Sequence, residues 1–336
     1  MSLRRSLLAV ASVALATALI ALLISVGKVD LRVTLQQLQG VSWISVTKLV
    51  LLNVVLVYSS TEKWRSIDAA LRHSSDSFPS RTTSFALTSA GLALGMLVPL
   101  QFAMSTARTL GTYVHGRALR RGMVGTLFEQ GFDVLTVGFL AIASGVTRYY
   151  RGGGIMWTIF AAVAMALALL AVGPSVRVVR WLAASSTART ATPRNRLEII
   201  LRSFSELQHS GLLDAGLARR LVMLSALRFG VVVLMSIQTA RAIGLHIPLW
   251  QMAAAIPFVV IGSVIAFTPG GLGVNELTSV TALMVFGTPF AIGAQWALAN
   301  RVLLAVSYFL VAICASIIMY VGKIMAARRR NAMQDR

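Results

Sequence analysis

The sequence predicts an all-α, polytopic membrane helix bundle with two re-entrant or broken-helix hairpins, arranged as inverted-topology repeats. Three observations lead there. Hydrophobic residues make up 57% of the 336-residue chain and charged residues only 12%, with a mean hydropathy of +0.76. A water-soluble surface needs more charge than that. Apolar runs of spanning length recur along the whole chain. Two of these runs are interrupted, one by Pro99 and one by Thr268-Pro269-Gly270-Gly271-Leu272-Gly273. Broken backbone at membrane depth persists only where protein or a water-filled cavity covers it. Length alone would also fit two soluble domains. A bundle of about six to nine spans uses the same residues as a single transmembrane domain over 1–336.

Taken in order, Met1–Val26 carries Arg4 and Arg5 ahead of an apolar stretch of about 20 residues, longer than the ~7–15 of a signal peptide. It reads as a retained first helix. Ile44–Ser60 is a second span, followed by a basic loop with Lys63, Arg65, Arg72 and Arg81. Thr83–Ala107, broken at Pro99, is too short for two full spans and predicts a hairpin. Gly122–Val146 and Ile155–Gly173 are two further spans and complete a first half, residues 1–176. A basic connector, 177–220, follows. Within it Leu197, Ile200, Leu201, Phe204 and Leu207 have the spacing of an amphipathic interfacial helix, though a plain linker fits too. The second half, 221–336, contains Leu221–Ile243, the broken region Trp250–Phe290 and the last span, Ala291–Gly322.

Basic residues collect in cytoplasmic loops. Placing both termini in the cytoplasm puts the loops after Ser60 and Ala107, the connector and the arginine-rich C-terminus on that side. Both broken regions must then cross an even number of times, one entering from each face. That is the pattern of inverted repeats in transporters, although two coincidentally interrupted helices would read the same way. The net charge of +20, from 31 Lys+Arg against 11 Asp+Glu, belongs to these loops. No zinc-finger or basic-zipper pattern points to nucleic acid. The expected partners are bilayer lipids and a membrane lipid as substrate. A homo-oligomer or a lipid-biosynthesis enzyme partner stays open. The one cysteine, Cys314, lies in an apolar run and reads as a packed thiol.

Ionisable groups inside a membrane are costly and mark candidate sites. Three acids lie in apolar runs: Glu129, Asp133 and Glu276. Glu129 and Asp133 share one helix face and repel each other, so they need a cation, a proton or a basic partner such as Arg108 or Arg121. A charge-coupling role and a structural ion pair fit them equally. Arg228 and Arg301 lie in predicted spans, where either could neutralise Glu276, Glu129 or a lipid phosphate. The glycines Gly270, Gly271 and Gly273 let the backbone turn tightly before a helix that begins near Val274, with Asn275 and Glu276 in its first turn. Free N–H groups at such a start bind phosphate or carboxylate. Glu276 would repel an anion there and could serve a proton or cation instead. Gly91 and Gly95 read as a helix-packing pair. His73, His115, His209 and His246 are scattered. No zinc, P-loop, magnesium or nucleophile-elbow pattern occurs, so neither a cofactor nor an enzyme is expected.

Pro269-Gly270-Gly271-Leu272-Gly273-Val274-Asn275-Glu276 resembles the proline–glycine–glycine–x–glycine–x–x–glutamate signature of the lysylphosphatidylglycerol synthase transmembrane-region family. Pro99 to Arg108, Glu129-Gln130-Gly131-Phe132-Asp133 and Arg301 are similar to its other charged segments. Gln130 departs from it, standing where the family usually has arginine. The resemblance implies a flippase-like membrane half without the aminoacyl-transferase domain of the full synthases. Such relatives are regarded as movers of phospholipids, hopanoids or polyprenyl-linked sugars. On this reading Arg108, Gly270, Gly271, Gly273, Asn275 and Arg301 hold a headgroup, while Glu129, Asp133 and Glu276 balance charge or couple protons. A membrane enzyme or scaffold working on lipid-linked substrates with a glycosyltransferase is the alternative.

Overall fold

In the computed structural model the described residues, 3–70, 79–114, 119–187, 214–265 and 268–334, form helices joined by short turns. They are α1 (Leu3–Gly27), α2 (Leu31–Gln39), α3 (Trp43–Ala70), α4 (Arg81–Leu94), α5 (Leu100–Val114), α6 (Leu119–Tyr149), α7 (Gly154–Thr187), α8 (Ala215–Ala242), α9 (Leu249–Ile265), α10 (Val274–Val285) and α11 (Phe290–Gln334). The all-α, multi-pass architecture expected from composition is therefore present. Five helices, α3, α6, α7, α8 and α11, contain stretches long and apolar enough to cross a membrane. The amphipathic segment expected at 197–207 lies outside the described residues.

The chain bends by 97° between α1 and α2. Asp30 starts α2 by accepting the amide of Arg32 at 2.8 Å, which satisfies a first-turn donor that the helix itself leaves free. Gln37 of α2 then bonds Gln295 of α11 at 2.5 Å. Sequence periodicity did not reveal α2, because nine residues between two apolar runs look like a polar loop.

Helix α3 is longer than the apolar run Ile44–Ser60. It continues to Ala70, so Lys63, expected in a cytoplasmic loop, lies on α3 and is fully buried. The cause is a stripe at alternating spacings of four and three, Leu49, Asn53, Leu56, Ser60, Lys63 and Ile67, that stays buried throughout. This stripe lies against α8. Lys63 meets Ser225, and Ile67 clusters with Leu217 and Leu221 near the start of α8. Leu49 shares a core with Met235 and Ile243 towards its end. The α3–α8 pair is thus antiparallel.

Each broken region is a packed helical hairpin. In the first, α4 and α5 face each other in opposite directions: Gly95 meets Leu100, Gly91 meets Met104 and Ala107, and Gly111 meets Leu87. The expected packing role of Gly91 and Gly95 is what this geometry shows. In the second, Gly262 of α9 meets Thr278 of α10, and the Phe258 and Phe286 rings lie 6.2 Å apart. The first hairpin starts beside the C-terminal end of α3 and the second beside that of α8. Because α3 and α8 are antiparallel, the hairpins enter from opposite ends of the bundle. With 14 and 15 residues, α4 and α5 are about 21–23 Å long at ~1.5 Å per residue, short of a ~30 Å hydrocarbon core.

The neighbours of the two hairpins correspond. Helix α4 lies on α11 and α9 on α6, α5 lies on α6 and α10 on α11, while α3 and α8 each touch both α6 and α11. Exchanging α3 with α8, α4 with α9, α5 with α10 and α6 with α11 returns the same set of neighbours.

Candidate functional site

The tips of the two hairpins meet. In the second hairpin, Thr268 is extended and Pro269–Gly271 makes one tight turn, with Gly270 at φ 59°. A side chain on Gly270 would strike the carbonyl oxygen of Met96, which belongs to the tip of the first hairpin. Only glycine permits both this left-handed backbone and this approach. Arg301 of α11 reaches between the tips. Its Nη1 donates to the Gly270 carbonyl at 2.7 Å, and its Nη2 donates to the Met96 carbonyl at 2.9 Å. The same Nη1 lies 3.8 Å from Glu276 Oε1. One planar guanidinium therefore ties both tips to the last helix, a task that suits a fixed fork of donors.

The start of α10 is at Val274, as the sequence predicts, but its amides are not all free. Glu276 Oε2 accepts the Gly273 N–H at 2.6 Å. This is the reaching-back half of a capping box, so Glu276 already occupies part of the anion position expected there. Gly273 itself does not face the cavity described below. Its α carbon is directed at α1, where a Cβ would lie 2.6 Å from Leu19 Cβ.

Behind the meeting point lies a cavity of about 210 Å³. Gly270, Gly271, Asn275, Glu276 and Arg301 line it, as the sequence reading requires, together with Arg228, Asn300 and Tyr308. The Oδ1 atoms of Asn275 and Asn300 are buried, and no donor reaches them among the described residues. Two asparagines and two arginines thus stand in an otherwise largely apolar wall.

A second cavity of about 100 Å³ adjoins the first, sharing Leu100, Arg228, Val232, Val260 and Ser263 with it. Arg108, Glu129 and Asp133 line this one. Arg108 is 1% exposed, forms an ion pair with Glu129, donates to the Ser60 carbonyl at 3.2 Å and lies 5.4 Å from the centre of the Trp64 ring. It is held on three sides. Asp133 is shared by two cations: Lys63 at 2.5 Å, and Arg228 through Nη1. Lys63 also donates to Ser225 at 2.8 Å. Arg228, weighed from sequence as a partner for Glu276 or Glu129, pairs with Asp133 instead. Arg108, one of two candidates for the Glu129–Asp133 face, is the partner of Glu129. The Arg121 side chain lies outside what is described.

The structure therefore gathers the predicted residues, Gly273 excepted, into two adjoining clusters joined at Arg228. Sequence reasoning missed Lys63 as a member, although the four–three stripe of α3 carries the signal beyond Ser60. Asn300 carries no charge and so does not stand out in its apolar run. The meeting of Met96 with Gly270 left no local trace in the sequence.

No curated protein and no solved structure matches the chain. A family model, that of the lysylphosphatidylglycerol synthase TM region, matches residues 9–314. Nearly the whole helical bundle, both hairpins and every residue of the two clusters fall inside that match. The chain is thus a multi-pass α-helical membrane protein acting on lipids, and it belongs to the family of the lysylphosphatidylglycerol synthase TM region.

Proposed function

We propose that this protein is a lipid flippase of the bacterial inner membrane, with both termini in the cytoplasm, moving a phospholipid, hopanoid or polyprenyl-linked lipid between leaflets. The observation that carries the reading is the junction of the hairpin tips. Two interrupted hairpins enter from opposite ends of the bundle and meet on Arg301, beside a largely apolar cavity into whose wall a few polar and charged residues are set. Irregular backbone of this kind persists in hydrocarbon where protein covers it or a water-filled cavity adjoins it, and here both the packed tips and an adjoining cavity are present.

The exchange of neighbours between α3–α6 and α8–α11 supports inverted-topology repeats. In that arrangement one repeat rocks against the other and exposes a central site to each leaflet in turn. Arg301, Asn275 and the Gly270–Gly271 turn form the headgroup side of the site. Glu276 balances Arg301, while Glu129 and Asp133 hold the cations of the adjoining cluster. The protein moves its substrate without altering it chemically.

The test is translocation by the pure protein in sealed liposomes, using a panel of fluorescent lipids and a quencher added outside. The expected result is protein-dependent loss of protection for at least one lipid, slowed by Glu276→Gln, a variant whose amide oxygen can still cap Gly273. Wild-type rates in a normally folded Glu276→Gln protein would remove Glu276 from the site. Protection unchanged for every lipid would refute the carrier reading.

A further inference from the structure

The charges buried around the two cavities do not cancel. Four cations, Lys63, Arg108, Arg228 and Arg301, face three acids, Glu129, Asp133 and Glu276. Arg108 is matched by Glu129, and Arg301 by Glu276. Asp133 must serve both Lys63 and Arg228. With all seven groups ionised, one positive charge is left over among the described residues, and protonation of any of the three acids would only enlarge the surplus.

Geometry decides where that charge is available. Lys63 is fully buried and bonded to both Asp133 and Ser225, and it lines neither cavity. Arg228 is partly exposed and stands in the wall of both cavities. Among the described residues its Nη1 bonds Asp133, while Nε and Nη2 make no protein hydrogen bond. A guanidinium with a free edge, in a low-dielectric wall, recognises an oxyanion by parallel N–H···O contacts. An unbalanced charge at membrane depth is costly, and a bilayer supplies one abundant neutraliser. That is the phosphodiester of a lipid headgroup, which carries a single negative charge.

We infer that Arg228 is the anchor for one singly charged phosphodiester, bound where the two cavities join. Deepening the flippase reading and resting on it, this names the substrate class as lipids whose headgroup carries a net single negative charge. A phosphodiester balances the surplus. A zwitterionic headgroup brings its own cation back into the site, and a neutral lipid leaves the charge unpaired. Lys63 acts at a distance: it occupies Asp133 and so keeps Arg228 available.

The experiment measures binding rather than transport, with the full-length protein in nanodiscs of phosphatidylcholine. Phosphatidylglycerol, extra phosphatidylcholine or diacylglycerol is titrated in and read by native mass spectrometry. Phosphatidylglycerol is expected to bind at least about tenfold more tightly than either of the others, a difference of ~1.4 kcal/mol. Arg228→Gln should erase that preference, while Arg228→Lys retains part of it. Lys63→Met, which removes the surplus charge without touching a cavity wall, should weaken phosphatidylglycerol binding by roughly tenfold or more. Equal binding of the three lipids by the wild-type protein would overturn the inference even if the variants fail to fold. So would a preference untouched by Arg228→Gln. Inorganic phosphate is the arm that separates sources: competition at millimolar concentration would assign the site to free phosphate instead of a lipid. Selective binding without translocation would leave this site standing and remove the carrier reading, and translocation without selectivity would do the reverse.

Discussion

Replacing Arg301 by alanine should separate the hairpin tips. Two carbonyl oxygens, those of Gly270 and Met96, would lose charged donors at 2.7 and 2.9 Å, and Glu276 would lose its counter-ion. A hydrogen bond to a charged group contributes about 1.5–3 kcal/mol. Breaking a buried ion pair from one side costs about 3–5 kcal/mol. Arg301 is 20% exposed and its Glu276 contact is long, at 3.8 Å, so water screens part of the loss. The contributions also share one side chain and do not add in full. A total of about 3–5 kcal/mol follows. Lysine should restore no more than about half of this, since one ammonium cannot span both carbonyls as a planar fork does. Reversible unfolding in mixed micelles gives the stability, and amide hydrogen exchange at residues 95–99 and 268–276 gives the state of the tips. If Arg301→Ala loses less than about 1 kcal/mol and exchange at both tips is unchanged, the guanidinium is not the clasp.

Asp133→Asn should be far more damaging than Lys63→Met, because the first leaves the buried Lys63 and the partly exposed Arg228 without an anion while the second leaves Asp133 still paired with Arg228. A loss of about 3–5 kcal/mol is expected for Asp133→Asn, and combining it with Lys63→Met should recover part of the loss; equilibrium unfolding of the three variants checks the order. Gly273→Ala combines φ 82° with a Cβ 2.6 Å from Leu19 Cβ, so it should cost about 1–3 kcal/mol and loosen α1 from the start of α10, seen as faster exchange in both segments.

Much of this was legible in the residues themselves. Apolar runs located the long helices, because a spanning segment must be continuous and lipid-compatible. Pro99 and Pro269 located the hairpin breaks, and the glycines after Pro269 pointed to a helix start near Val274, where α10 begins. Glu129, Asp133, Glu276 and Arg301 stood out because charge is rare in such runs, whereas Arg108, expected in the loop after Ala107, lies buried on α5 because that helix runs on to Val114. What the sequence did not disclose is pairing across long separations. Asp133 finds Lys63 and Arg228, 70 and 95 residues away along the chain. No local pattern encodes that choice. Lys63 was hidden for a simpler reason. It follows the end of an apolar run, where a basic residue ordinarily marks the cytoplasmic edge, yet here the helix carries it into the bundle. The anion position at the start of α10 misled in the opposite sense, since a carboxylate three residues on is itself the natural occupant of a glycine-started helix.

The central claim is that the compartment beside the joined tips opens to each side of the membrane in turn. Cys314 is exposed, not packed as its apolar run suggests, so Asn300→Cys in a Cys314→Ser background places a single probe in the cavity wall. In sealed vesicles of known orientation, a membrane-impermeant thiol reagent should modify this cysteine from either face, more slowly when the transported lipid is abundant. Modification from one face only, with no effect of lipid, would contradict the account.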